Sequence, residues 1–396
     1  MGGRRAGPPD WLRNQRRAYM SSDLIVVADW RPSVPSATSQ LMSRLLLDRQ
    51  LLWVDAAAFR PERAAPRSAR TAGMAPTTAA PFPVLSAEDL GGGSHPLARL
   101  VSPRLLTRRV ERVSRRRGLR HPMLWLASPW AAPMLDGGYA GPVIYQPCAG
   151  PPAADAAAAR ESAALEERIL ARADLVLPPA REHAAAAARA QTRLLPAGVD
   201  LELFSTRAQP ARDLPTDGPV AGCHGCFDET FDADLLAAIA RRLPDWHFML
   251  LGPVCCDLSM LGHLANVRMA GIRPQDQLPR YLQFWTASLL LRRPAVPPAP
   301  VPPLPFLETL AAGLPTVAAG AYRFGGYADL STCVDDADGA AAALQAAAAE
   351  PRERRALRRK RVANDALAAR AAVVSRLLGE LEAASAPGTA ARLWRA

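Results

Sequence analysis

Two cysteine pairs are the first residues whose types and spacing could do chemistry. A Cys-x-x-Cys at Cys223 and Cys226 precedes a vicinal pair at Cys255 and Cys256, with His224 and His247 close by. Thiolate and imidazole donors in such groupings hold zinc. Here both pairs stand at the ends of apolar, strand-like runs, and the spacing between them matches no zinc framework. The expectation is no metal, with the cysteines packed as small buried residues. Asp232-Ala-Asp234 is spelled like a metal-binding carboxylate pair but falls at a helix start, where capping accounts for it. Gly91-Gly-Gly93 is flanked by no strand and no helix, so it reads as a turn rather than a phosphate cradle. Basic runs at Arg115, Arg116, Arg117 and at Arg354, Arg355, Arg358, Arg359 suit a solvated helix face or contact with an anionic membrane leaflet. No aromatic interleaving accompanies them, so nucleic acid is not an expected partner.

The elements that must position any site come from the apolar pattern. At 396 residues the chain is too long for one ordinary core, which makes two domains the natural expectation. Aromatic residues are 6% of the chain, so Leu, Ala and Val must fill those cores. Leu24–Ala28 within 23–29 is a continuous apolar run ending at a carboxylate, Asp29, as buried parallel strands do. A helix over 36–49, N-capped by Ser36, and a strand over 51–54 follow, which begins a doubly wound sheet. Residues 60–100 read as a long insertion. A basic helix over 103–117, strands over 123–126, 143–145, 175–177 and 193–195, a helix over 153–173 and an alanine-rich helix complete a first unit. A polar stretch over 205–218 reads as a linker. A second unit alternates strands over 220–223, 247–251, 266–269, 288–291 and 316–318 with helices over 232–242, 277–285 and 306–312. No run of eighteen apolar residues and no apolar segment behind Arg4 and Arg5 is present, so a cytoplasmic location is expected. The formal charge is +11, and Lys360 is the one lysine among 48 basic residues, so a site needing a cation must use arginine.

From residue 196 onward the segments resemble a glycosyltransferase of the GT-B fold, of the family 1/4-like type found in polysaccharide gene clusters. The resemblance is carried by Pro196-Ala-Gly-Val-Asp200 with Phe204, by Gly225 and Phe227-Asp228, and by Pro244 to Pro253. Asn266-Val, Gly271, Leu278-Pro279 and Phe306 to Val317 continue it in order. It implies two Rossmann-like doubly wound α/β domains facing across a cleft, here 20–204 on the acceptor side and 219–384 on the donor side, with 205–218 between. It implies transfer of a sugar, with retention, from a nucleoside-diphosphate-sugar to a glycan or lipid-linked acceptor, with no metal and no cofactor beyond the donor. Carried over residue by residue, the donor-binding set is Gly225, Arg292, Arg293, Glu308 and Thr309. Gly225 would permit close backbone approach, the arginines would neutralise the diphosphate, and Glu308, in the first turn of its helix, would hold ribose or sugar hydroxyls.

The departures fall on site positions. Residues 294–305 are proline-rich, which removes backbone donors and favours extended polyproline II, and Pro305 replaces an expected lysine. Gln146-Pro-Cys-Ala149 follows Tyr145 where relatives carry aspartates, and Pro178 and Pro179 replace a flexible turn. Asp29 is the candidate acceptor base, with His95 and His121 behind it. Three alternatives remain open. The chain could be a degenerate homologue that binds or scaffolds, or a nucleotide-sugar 2-epimerase, and its proline run could be a polyproline ligand.

Overall fold

The computed structural model describes residues 22–30, 36–60, 82–86, 89–90, 103–147, 155–181, 191–296, 301–320, 322, 324–351 and 353–384. The Gly91 turn, His95, the alanine-rich helix over 182–190 and the middle of the proline run lie outside the described residues. The first sheet holds seven parallel strands: β1 (Leu24–Ala28), β2 (Leu51–Asp55), β3 (Val84–Leu85), β4 (Met123–Leu126), β5 (Val143–Tyr145), β6 (Leu175–Val176) and β7 (Gln191–Thr192), in the order β3-β2-β1-β4-β5-β6-β7. Its helices are α1 (Ala37–Leu45), α2 (Pro103–Arg116) and α3 (Ala156–Arg172). β1 is central, paired with β2 and β4, and every residue in it is buried. Period-two alternation sends Leu24 and Val26 to one face and Ile25 and Val27 to the other, and each face has its own core. That explains why the strand reads as unbroken apolar residues rather than an alternating pattern.

The chain then passes through α4 (Leu201–Ser205) into a second parallel sheet, β10-β9-β8-β11-β12-β13. Its strands are β8 (Val220–His224), β9 (His247–Leu251), β10 (Val267–Gly271), β11 (Ala287–Leu291), β12 (Thr316–Ala319) and β13 (Ser331–Val334). Helices α5 (Ala233–Arg242) and α8 (Ala337–Ala348) cover one face. On the other face lie α6 (Pro279–Leu282), α7 (Leu304–Ala312) and α9 (Glu353–Val362). In both sheets the strand order reverses beside the first strand, which puts the natural ligand crevice past the carboxyl ends of β1 and β4, and of β8 and β11.

Four expectations are corrected. The strand expected over 193–195 is assigned at Gln191–Thr192. Arg193 and Leu195 still donate to Val176 and Pro178, but Pro178 has no N–H to return a bond, so regular pairing ends. The helix expected over 277–285 is a 3-10 turn at Gln275–Gln277 and the single turn α6, after which Trp285 turns into the core against Gly222, where a Cβ would stand 2.2 Å from its ring. The stretch over 205–218 is laid onto the second sheet's domain, with Ala208 and Ala211 donating to Gln283 and Arg280. The last helix, α10 (Leu367–Ala384), was expected with the second unit. Its Leu367, Val374, Leu377 and Leu378 instead close the core of the first, beside Leu24 and Leu41. Two ends of the connection are stitched together where Leu367 donates to the Val199 carbonyl and Val199 to that of Asp365.

Two glycines form the bare backbone beside the second crevice. Gly225 (φ 125°) and Gly252 (φ 144°) both need a conformation that L side chains rarely adopt, and a Cβ on Gly252 would lie 1.8 Å from the Gly225 carbonyl oxygen. Gly252→Ala is therefore expected to cost about 2–4 kcal/mol, from overpacking plus strain. Gly262→Ala, which meets nothing within 4 Å, should be neutral within about 0.5 kcal/mol by urea unfolding.

Candidate functional site

The cleft between the two domains is floored by a buried carboxylate. Glu308 is 3% exposed and sits on α7. Its Oε2 lies 3.0 Å from Nε2 of His224, at the carboxyl end of β8. Its Oε1 accepts from Gln275 Nε2 at 2.5 Å and from Gln40 Nε2 at 3.4 Å. An ionised carboxylate this deeply buried must be satisfied by such donors or cost several kcal/mol. Gln40 is the contribution of the other domain. Its helix begins in a capping box, with the Ser36 hydroxyl accepting from Ser39 N–H and the Ser39 hydroxyl accepting from Ser36 N–H. Gln146 Oε1 then accepts from both Thr38 Oγ1 and Trp125 Nε1 at 3.1 Å, locking α1 onto the sheet. Gln146, one of the departures from the family pattern, is thus a buried bracket for Gln40.

The cleft encloses about 240 Å³ and is lined from one side by Ser36 and Ala37 and from the other by His224, Gly225, Cys226, Gly252, Arg273, Gln275, Pro305 and Glu308, among others. Of the sequence-derived set, Gly225 and Glu308 meet here. The Gly225 N–H already donates to the Leu251 carbonyl, so this residue offers a close approach rather than a donor. Glu308 is not in the first turn of α7, which starts at Leu304 without a side-chain cap, so a favourable charge at the helix terminus does not explain it. At that terminus Pro305 has no N–H, and Phe306 and Leu307 both donate to the Pro303 carbonyl. Little backbone is left there for an anion.

The remaining candidates go elsewhere. Arg292 and Arg293 are not among the residues that line the cleft: Arg292 extends the β11 ladder, its N–H donating to the Ala319 carbonyl and its backbone bridging Phe231, and Arg293 pairs with Asp234 at 3.2 Å. Thr309 is fully buried and donates to the Pro305 carbonyl at 2.8 Å, facing β11 rather than the cleft. Asp29 receives Arg60 on both oxygens, at 2.7 and 2.9 Å, in a separate group with Asp55, whose carboxyl is pushed up chiefly by burial. Among the described residues no three His, Cys, Asp or Glu side chains are grouped to hold a metal. Cys223 is buried, and desolvation pushes its thiol up to about 12, so it is inert packing.

The cation that the sequence reading missed is Arg273. It follows β10 and projects into the cleft wall, held by Asp213 Oδ2 at 3.0 Å and by the Tyr281 hydroxyl at 2.8 Å. Its signal in the sequence was slight: an arginine two residues past a positive-φ glycine, Gly271. The basic run at Arg354–Arg359 is only in part a solvated face. Arg358 is 4% exposed and makes a two-point pair with Glu350, and Arg359 donates to the Ala312 carbonyl at the end of α7. These cations cap the carboxyl terminus of the helix that carries Glu308.

Known proteins of the same shape bear on this geometry. No protein-family model matches the chain. It superposes on the crystal structure of α,α-trehalose 6-phosphate synthase from Burkholderia multivorans, with a TM-score of 0.61 and 13% identity, over 92% of this chain and 100% of that one. The UDP-forming α,α-trehalose-phosphate synthase from Burkholderia xenovorans, in complex with glucose-6-phosphate, gives 0.61 and 14%, over 90% and 100%. At such identities the likeness is one of fold, and that fold is the two-domain α/β arrangement of the GT-B glycosyltransferases. In sequence, 138 residues are 30% identical to a Bacillus subtilis (strain 168) protein named "Putative teichuronic acid biosynthesis glycosyltransferase TuaH". The match spans about a third of each chain, 33% of this one and 35% of that one.

Asp213 tests the support of Arg273. Burial raises its pKa, but the hydrogen bonds from Tyr281 and Arg273 outweigh burial and leave it below the ordinary carboxylate range. A depressed folded pKa means stabilisation that is present above the unfolded value, about 3.9, and lost as pH falls through the folded one. Asp213→Asn should lower Tm at pH 7, and the difference from wild type should close progressively below about pH 4.

Proposed function

We propose that the chain is a glycosyltransferase of polysaccharide biosynthesis whose nucleoside-diphosphate-sugar donor lies in the cleft, its ribose hydroxyls donating to Glu308. The observation that carries this reading is a buried carboxylate held by side chains of both domains at the carboxyl end of β8, where doubly wound sheets bind ligands. Arg273 supplies the positive charge a diphosphate needs, and the Gly225–Gly252 backbone lets it approach. The reading asks for no metal and no cofactor. A cleft of 240 Å³ is small for such a donor. Entry therefore separates the domains, and the 3.4 Å bond from Gln40 is the first to release. The name of the Bacillus relative supports a glycan acceptor. Calorimetry with UDP, GDP and their common sugar conjugates tests it. Saturable binding should weaken by about 1.5–3 kcal/mol in Glu308→Ala, and no binding to folded wild type at millimolar nucleotide would sink the enzyme reading. One feature favours a scaffold instead: the Pro305 ring stands 3.3 Å from where a Gly225 Cβ would be, on the phosphate side of the cleft. The same titration decides between them.

The reading extends to an anionic membrane surface as the place where a lipid-linked acceptor is met, on the inner leaflet. No described helix is long and apolar enough to cross a membrane. The support is α2, whose Arg104, Arg108, Arg112 and Arg116 are exposed, with Glu111 as its single acid, taken by Arg115. Co-sedimentation with vesicles containing phosphatidylglycerol should exceed that with phosphatidylcholine alone and fall with salt. Replacing Arg108, Arg112 and Arg116 by Glu should abolish it, since each cation contributes about 1 kcal/mol. Equal sedimentation of the variant would rule out this face.

A further inference from the structure

We infer that His224 is a positioning residue that sets the orientation of the Glu308 carboxylate, and through it the recognition of the donor's ribose diol. The inference rests on the reading of the cleft as a donor site. Along β8, side chains alternate between faces, so His224 shares its row with Val220 and Gly222 over the apolar core that contains Trp285. An aliphatic residue would suit that row. The imidazole found there is 7% exposed, tilts against the Trp285 ring at 6.1 Å, and leaves Nδ1 buried without a hydrogen-bond partner. Burying such a group is costly, and the gain visible in return is its bond to Glu308.

That bond differs from the other two. Gln275 and Gln40 both reach Oε1, whereas among the described residues His224 alone reaches Oε2. With Oε1 held at one point, the carboxylate could still turn about its last torsion, which is broad and roughly two-fold. The His224 bond supplies the second fixed point and so sets the carboxylate plane. A vicinal diol is read by two hydroxyls donating to two carboxylate oxygens, and such a contact depends on that plane being set before the ligand arrives. The Gln40 bond, the longest of the three and from the other domain, can yield to the ligand. The His224 bond lies within the donor-side domain and persists.

Two readouts on wild type, Glu308→Gln, His224→Phe and His224→Gln test this, with thermal melts confirming that each variant is folded. The first needs no ligand: the side-chain carboxamide signals of Gln275 by selectively labelled NMR. They should move in Glu308→Gln and also in His224→Phe, because the carboxylate they bond to has turned, and stay near wild type in His224→Gln, whose amide can still donate. Unmoved signals in His224→Phe would overturn the inference. The second compares binding of UDP and GDP with that of their 2′,3′-dideoxy forms. Wild type should prefer the ribose form by roughly tenfold to a hundredfold. His224→Phe should cut the preference below about threefold, and His224→Gln should restore most of it. A merely structural role for His224 would weaken both ligands alike and leave the ratio intact, which would also overturn the inference. If wild type binds no nucleotide, the donor reading falls and the ribose role with it, while the Gln275 signals still decide whether His224 orients Glu308.

Discussion

A charge buried between two domains is the constraint on which the rest of this structure depends. Glu308 is almost wholly removed from water, and a lone carboxylate there would either be expelled or be neutralised. It is retained because donors converge on it from β8, from the turn before α6 and from α1 of the opposite domain. Satisfying the charge therefore registers one domain against the other. The weakest contact is the one that crosses between them, so the closed cleft is held at its floor by a bond that a competing hydroxyl can replace.

The supports of that carboxylate lie well outside the cleft. Gln146 holds α1 from beneath, α9 caps the end of α7 with Arg358 and Arg359, and α10 crosses back to seal the first domain's core. The first two satisfy groups that helix ends or buried polar atoms would leave open, and the third buries apolar surface. Arg273 is fixed in the same way by Asp213 and Tyr281. Both charged groups of the site are thus preorganised before any ligand binds.

The polar groups this cleft presents are side chains more than backbone. The proline-rich approach to α7 removes backbone donors from that helix terminus, and Gly225 has already committed its N–H to Leu251. A planar arginine compensates as a positive charge, though not with the same geometry as a ring of backbone N–H groups. The cationic character of the chain divides accordingly. Arg358 and Arg359 on α9 are internal cement, and the run on α2 faces solvent.

Much of the fold was legible in the sequence because parallel strands buried on both faces must be continuous apolar runs; most strand cores announced themselves in that way, whereas the partly exposed β3, β7 and β13 did not. Asp232 as a cap, Ser36 as a cap and Cys223 as packing followed from local chemistry alone, whereas Cys226, Cys255 and Cys256, expected to be buried too, are only half-buried. Gly225 and Glu308, singled out by motif order, line the same cleft. What the sequence could not disclose were the partners. His224 and Gln275 lie far from Glu308 along the chain, and Gln40 lies 268 residues away. Arg292 and Arg293 looked suited to phosphate because they follow a strand, yet they bridge Phe231 and pair with Asp234 at the start of α5. Strand position and helix capping are set by neighbours within a few residues. Which side chains meet across a cleft is set by how two sheets and a crossing helix pack, and only the tertiary structure decides that.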